Sequence, residues 1–340
     1  MDRYDHLQYS KDQWIQRVHS AFVALTLSFT RRYSGWHVGA TGNFNAISLM
    51  LTLLSPVTLV VPRRVVAELM RLYDYSHPLK PGMVIRGYDR AHAVRTAKMC
   101  VAVAHRLGHP ADRIYQYQVA CLLHDVSRAG LDRRLFGKIW SWAKAHGIPT
   151  RPREWRAVHP ATIYGRETEA FLSRYGADLE AAGIPMTPWA KEQVEMRLGH
   201  ARRLRRRLVV VRPTLRRLGL RWTPWMQDVV LYYYYPEKLA KAKPWVKQLA
   251  EILVACEQFE AYNNRQRGRD YYVRRREALT DAFAYLDKLA QDGILSGNVM
   301  CALRGLAGEG AFDAILEAAR GCSLTNAERC YLRSLVPGGG

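Results

Sequence analysis

Acidic side chains are scarce in this 340-residue chain: 30 Asp and Glu stand against 51 Lys and Arg, a formal net charge of +21. Such a molecule is expected to attract anions, whether nucleic acid, nucleotides, phosphorylated substrates or an acidic membrane surface, and charge alone does not choose among them. Paired cysteines are missing too. Cys100, Cys121, Cys256, Cys301, Cys322 and Cys330 are widely spread and form no CxxC pair, which argues against a disulfide framework. Cys100, Cys121 and Cys256 lie in apolar helical contexts and read as small buried hydrophobes in a reducing compartment. The opening Met1-Asp-Arg-Tyr-Asp lacks the charged-then-apolar order of a signal peptide. No charged residue occurs between Arg32 and Arg63, but the compact apolar part, Ala46 to Val61, carries Pro56 and is short for a membrane span. It reads as a buried core segment. The flanking Arg31-Arg32 and Arg63-Arg64 would suit peripheral contact with anionic lipid. The expected location is the cytoplasm, with a membrane-peripheral position as the alternative.

No convincing strand, internal repeat or low-complexity tract is present. Hydrophobic residues make up 49%, which excludes global disorder. The expected fold is all-α, in three parts: an N-terminal helical module over 1–80, a main domain over 81–310, and a C-terminal helix with a loose tail over 311–340. In the first part, Trp14, Val18, Phe22 and Leu25 advance at helical steps within Asp12 to Phe29. His77-Pro-Leu-Lys-Pro81-Gly82 is a breaker cluster and marks the boundary. Tyr88 to Leu107 reads as a helix with His92, Thr96, Met99 and Val103 on one face. Asp112 to Asp125 is the next helix. Trp155 to Leu172 reads as helical with His159-Pro160 inside, 173–188 as a loop, and Lys238 to Asn263 as a long helix. Arg265 to Arg276 reads as a basic turn, and Glu277–Gln291 and Ala311–Ala319 as the last helices.

Chemistry concentrates where the apolar run Val119 to Leu123 ends in His124-Asp125. Imidazole and carboxylate are good ligands for a divalent ion, and a cation offsets the cost of burying both. The same dipeptide also suits a core histidine beside an aspartate that caps or breaks a helix. Further candidates follow at His92, His159 and an acidic residue near 257, on helices distant in sequence, which is how helical bundles assemble metal sites. His105 and His200 have no evident partner and read as surface residues. The run Arg202-Arg203-Leu-Arg205-Arg206-Arg207 with Arg212, Arg216 and Arg217 reads as a solvated helix face. With Trp222, Trp225 and Tyr232 to Tyr235 behind it, the run also permits contact with nucleic acid or an acidic partner.

These residues resemble the HD superfamily of metal-dependent phosphohydrolases, named for a His … His-Asp … Asp ligand set, and within it the HD-GYP subgroup of cyclic-di-GMP phosphodiesterases. The resemblance covers about residues 86–310. His92 with Ala93-Val94-Arg95 is similar to the first metal histidine. Leu122-Leu-His124-Asp125-Val126-Ser127-Arg128 is similar to the LHDIGK motif, with Arg128 in the place of lysine. His159-Pro160-Ala-Thr-Ile-Tyr-Gly165 resembles the HPxxG element. Cys256-Glu257-Gln-Phe259-Glu260-Ala261 resembles the helix ending ADVFDA, which puts Glu257 in the place of the last metal aspartate. Arg269-Asp270-Tyr271 and Glu277-Ala278-Leu279 resemble the RPY … EAL stretch. The chain departs from the pattern at Tyr232-Tyr233-Tyr234-Tyr235, which stand where paired histidines belong. It departs again at Tyr88, where the family has a glutamate.

The resemblance implies an HD-type helical bundle holding one or two divalent ions (iron, manganese, magnesium or similar). His92, His124, Asp125 and Glu257 are the implied ligands. His159 completes the coordination or contacts the leaving oxygen, and Arg128 contacts phosphate. The implied activity is hydrolysis of a phosphorylated small molecule, a nucleotide or cyclic dinucleotide. The alternatives are a degenerate relative that binds nucleotide or partner without turnover, and a basic nucleic-acid-binding protein.

Overall fold

Period-two alternation is nearly absent from the sequence, and strands are nearly absent from the fold. The computed structural model describes residues 57–77, 80–264 and 278–336. Among them the architecture is all-α, with fourteen α-helices. The only paired strands described are β1 (Tyr75–Ser76) and β2 (Val84–Ile85), antiparallel, with Tyr75 opposite Ile85. Helix α1 (Arg63–Arg71) precedes this ribbon. After it come α2 (Arg90–Arg106), α3 (Ala111–Leu122), a 3-10 turn at Val126–Arg128, α4 (Arg133–Ala145), α5 (Pro152–Val158), α6 (Glu167–Ala181), α7 (Pro188–Leu198) and α8 (His200–Arg217). The chain continues through α9 (Pro224–Leu231), α10 (Pro244–Asn263), α11 (Leu279–Gln291), α12 (Gly297–Gly308), α13 (Asp313–Arg320) and α14 (Asn326–Arg333).

The chain divides into two compact units, Met1–Leu54 and Ser55–Gly340, and every described residue falls in the second. The helix expected from Asp12, most of the charge-free stretch and the Arg269-Asp270-Tyr271 motif lie outside the described residues. Within the second unit, Val66, Leu69 and Met70 of α1 and Leu316 and Leu332 near the C-terminus join one core with α2, α3 and α10. No helix among the described residues is long and apolar enough to cross a membrane.

Two hydrophobic clusters organise this unit. The larger one is aliphatic and centres on α2, which packs against α3 and α10. Ala93, Ala97, Cys100 and Ala104 recur every three or four residues along α2 and are fully buried. Small side chains on that stripe let neighbouring helices approach closely. The smaller cluster is aromatic: Phe136, Trp140, Trp155 and Phe171 from α4, α5 and α6 pack with Val194 and Leu198 of α7. The chain crosses from the first cluster at Val126 to the second at Leu131. His124 and Asp125 sit just before that crossing.

Several boundaries differ from the sequence reading, beginning with the helix expected over Asp112 to Asp125, which ends at Leu122. The helix expected over Trp155 to Leu172 is two helices, because Pro160 disfavours helical backbone at the preceding residue. His159 accordingly adopts φ −123° and ψ 72°. Beyond the break α6 continues to Ala181, through Gly176, where a loop was expected. The long helix expected from Lys238 begins at Pro244, whose ring suits a first helical position, after a 3-10 turn at Pro236–Leu239.

Candidate metal centre

Helix α2 carries His92 on its buried face, together with Thr96, Met99 and Val103. Helix α3 ends at Leu122, and the chain then turns inward and buries both His124 and Asp125. The three ligand atoms converge. Nε2 of His124 lies 3.3 Å from Nε2 of His92, and Oδ2 of Asp125 lies 3.7 Å from the first and 3.9 Å from the second. A triangle with those sides has its circumcentre about 2.1 Å from every corner, the length of a metal–imidazole or metal–carboxylate bond. His92, His124 and Asp125 are the one group found among the described residues whose ligand atoms all lie within 4.8 Å of one another.

The other nitrogens explain why these atoms face inward. Nδ1 of His124 donates to the Cys121 carbonyl at 2.7 Å. Nδ1 of His92 bonds to Oε2 of Glu260, a carboxylate from α10 with no exposed surface that also accepts from Arg95 Nε at 2.6 Å. A carbonyl and an ionised carboxylate only accept, so each ring carries a proton on Nδ1, and in the neutral imidazoles both Nε2 lone pairs point into the triad. Two lone pairs and a carboxylate oxygen at these separations repel unless positive charge lies among them. A divalent ion meets that need, and histidines held through the far nitrogen by a carboxylate or carbonyl are the usual support for one. The residues present fit a metal.

Asp125 is braced from the other side. Arg128 Nη1 donates to Asp125 Oδ2 at 3.2 Å, and its Nε lies 3.5 Å from Asp89 Oδ2. The turn after Asp125 is held by α8. Arg203, 3% exposed, donates from Nε to the Ser127 carbonyl at 2.5 Å, from Nη2 to the Ala129 carbonyl at 2.7 Å, and from Nη1 to Glu192 at 3.0 Å. Part of the basic run therefore faces inward and fixes the turn. Arg202 and Arg206 bond Glu195, and Arg207 donates to the Leu72 carbonyl. Burial pushes the Glu195 carboxyl up, but the hydrogen bonds from Arg206 and Arg202 outweigh it and hold the group below its ordinary value. Arg205, Arg212 and Arg216 remain on the outer face beside exposed Val209 and Val210, while Trp222 and Trp225 pack against the large core.

Behind the triad lies a cavity of about 10 Å³ lined by His124, Asp125, His200, Tyr233, Tyr234, Glu257 and four aliphatic side chains. Glu257 faces this cavity but stands outside the converged triad. Of the four tyrosines, Tyr233 and Tyr234 line the cavity, and burial pushes both phenols up. Tyr232 donates to the Ile294 carbonyl, and Tyr235 lies under the Arg156 guanidinium. His159 is not brought to the triad: it follows α5 and packs on Trp155 with centroids 4.2 Å apart.

Two site residues escaped the sequence reading. Glu260 is one helical turn beyond Glu257, and both project from an α10 that is buried on nearly every side. His200, read as a surface residue, is 1% exposed. Its ring stacks on Tyr234 with centroids 4.5 Å apart, Nδ1 lies 2.8 Å from Ser127 Oγ, and burial pushes the imidazole down to about 4. Gly199, just before His200, lets the chain pass close to α6 and α7, since a Cβ there would meet the Glu195 side chain and stand 2.8 Å from Thr168 Oγ1. The Gly-His step at the break between α7 and α8 was the available signal. No family model, no curated protein and no solved structure matches the chain.

Proposed function

We propose that this protein is a divalent-metal-dependent phosphohydrolase acting on a nucleotide or cyclic dinucleotide. The observation that carries the reading is the convergence of His92 Nε2, His124 Nε2 and Asp125 Oδ2 with both Nδ1 atoms tied to acceptors. A metal ion bound there lowers the pKa of a coordinated water and polarises a phosphoryl oxygen. His92, His124 and Asp125 would hold it, with Glu257 as a further carboxylate at the same cavity. Arg128 adds a fixed positive charge beside Asp125, so a phosphate drawn to the centre meets two positive groups. The net charge of +21 favours arrival of an anionic substrate.

A second reading has its own support. The cavity presents neutral phenols at Tyr233 and Tyr234 where further imidazoles would be needed for a second ion. A one-ion centre that binds nucleotide without turnover fits that wall. Metal analysis of protein purified without chelator, alongside a His124→Ala/Asp125→Ala double variant, tests both. About one ion per chain, lost in the variant, supports the centre. Hydrolysis of nucleotides or cyclic dinucleotides by the loaded wild type then separates the first reading from the second. No metal after incubation with excess divalent ions would sink both.

A further inference from the structure

We propose that the cavity behind the triad is a one-water site and that His200 is the positioning residue that holds the reacting water in it. This rests on the reading of the triad as a hydrolytic metal centre. The starting observation is an unmatched nitrogen. His200 is 1% exposed, its Nδ1 is engaged by Ser127 Oγ, and its Nε2 has no hydrogen-bond partner among the described residues. A buried polar atom left unmatched costs about 1–3 kcal/mol, and native structures seldom keep one without water or a ligand to answer it.

The cavity supplies the answer. Its volume of about 10 Å³ is at the threshold for a single water. Its polar wall is made of His200, His124, Asp125, Glu257, Tyr233 and Tyr234, more than the two to four partners a buried water needs. Val229, Val230, Leu253 and Val254 close the rest and offer nothing to a larger polar ligand. Two triad residues, His124 and Asp125, form part of the same wall, so a water bonded to His200 Nε2 lies beside the ion the triad would bind.

The ring cannot easily turn away from this task. It is clamped between Tyr234 and Ser127, and Ser127 belongs to the turn that follows Asp125. Arg203, three residues along α8 from His200, holds the carbonyls of that same turn. The imidazole and the metal-facing carboxylate are thus fixed to one another. Either tautomer of His200 serves: Nε2 donates to the water when the Ser127 hydroxyl donates to Nδ1, and accepts from it when Ser127 Oγ accepts from Nδ1.

The test uses the full chain, loaded with manganese, as wild type, His200→Phe and His200→Gln. Phenylalanine keeps the stack on Tyr234 but removes the nitrogen; glutamine restores a polar tip. Crystal structures at a resolution that shows ordered water are expected to place one water within hydrogen-bond distance of Nε2 in the wild type and none in His200→Phe. Metal content should be equal in all three, because no ligand has changed. With bis-p-nitrophenyl phosphate as probe, kcat is expected to fall about 100-fold in His200→Phe with KM nearly constant, and to recover at least tenfold in His200→Gln. A dry cavity in the wild type overturns the proposal. So does a metal-loaded His200→Phe that keeps the wild-type kcat. Loss of metal binding by the wild type would instead be the failure of the hydrolase reading, and the water at Nε2 would still be decided by the structure.

Discussion

The two walls of the candidate centre are built differently. On the α2–α3–α10 wall, the imidazoles are tied through Nδ1, and their remaining nitrogens are forced to face each other. On the α8 wall, arginines serve the backbone of the neighbouring turn, and His200, which lines the cavity, keeps one nitrogen without a hydrogen-bond partner among the described residues. The first wall concentrates negative potential and lone pairs. The second supplies rigidity and a single polar contact. The contrast shows how a strongly basic chain disposes of charge near a buried triad: Arg202, Arg203 and Arg206 are taken up by carbonyls and carboxylates around the 126–129 turn, while Arg128 stands beside Asp125.

The largest expected effect comes from breaking the second wall. Replacing Arg203 with methionine would leave two buried carbonyls and Glu192 without their guanidinium, and should lower stability by about 3–5 kcal/mol in chemical denaturation. A change below about 1 kcal/mol would mean that the turn holds itself.

Acid comes next. Folded, His200 titrates near 4, against about 6.5 when unfolded. Between those values the unfolded chain binds more protons, so this group's contribution is complete above pH 6.5 and is lost as pH falls toward 4. It amounts to on the order of 3 kcal/mol. Denaturation midpoints followed across that window should slope less steeply in His200→Gln. Identical slopes would contradict the burial of the neutral ring.

A smaller effect sharpens the first wall. Glu260→Gln keeps the shape but weakens the hold on His92 Nδ1, and metal affinity measured against a competing chelator should fall about 10–100-fold. Unchanged affinity would show that Arg95 and Asn264, the carboxylate's other neighbours, do not matter through it either. The smallest change is expected on the outer face of α8. Arg205→Ala and Arg216→Ala should shift stability by less than about 0.5 kcal/mol. They should also shorten retention on an anionic column at low salt. A stability loss approaching that of Arg203→Met would erase the distinction between inward and outward arginines.

The sequence made the all-α fold readable, because helical periodicity recurs along most of the described chain and alternation does not. Spacing put His92 on one face with Thr96, Met99 and Val103, and that face is buried; the apolar run into His124-Asp125 marked a place where both could be buried, and both are, though beyond the end of the helix rather than within it. The supporting residues were hidden for a physical reason. Glu260 meets His92 across 168 residues, and Arg203 meets Ser127 across 76. Such contacts depend on how helices cross, which local pattern does not encode. Choosing Glu257 over Glu260 also asked periodicity to separate two positions three residues apart on a helix buried around most of its girth. His200 opens an arginine-rich segment, so the residues that follow it in sequence look like surface.

Gly199 makes the centre a matter of clearances. One added methyl group at that position would meet Glu195 of α7 and Thr168 of α6 just where α8 begins, and α8 carries both the imidazole beside the cavity and the arginine clamp. The two cannot be adjusted separately from there. A variant that widened the cavity for a bulkier guest by shifting this helix would slacken the turn bearing Asp125 in the same movement, so selectivity for size and mechanical firmness are set by a single joint.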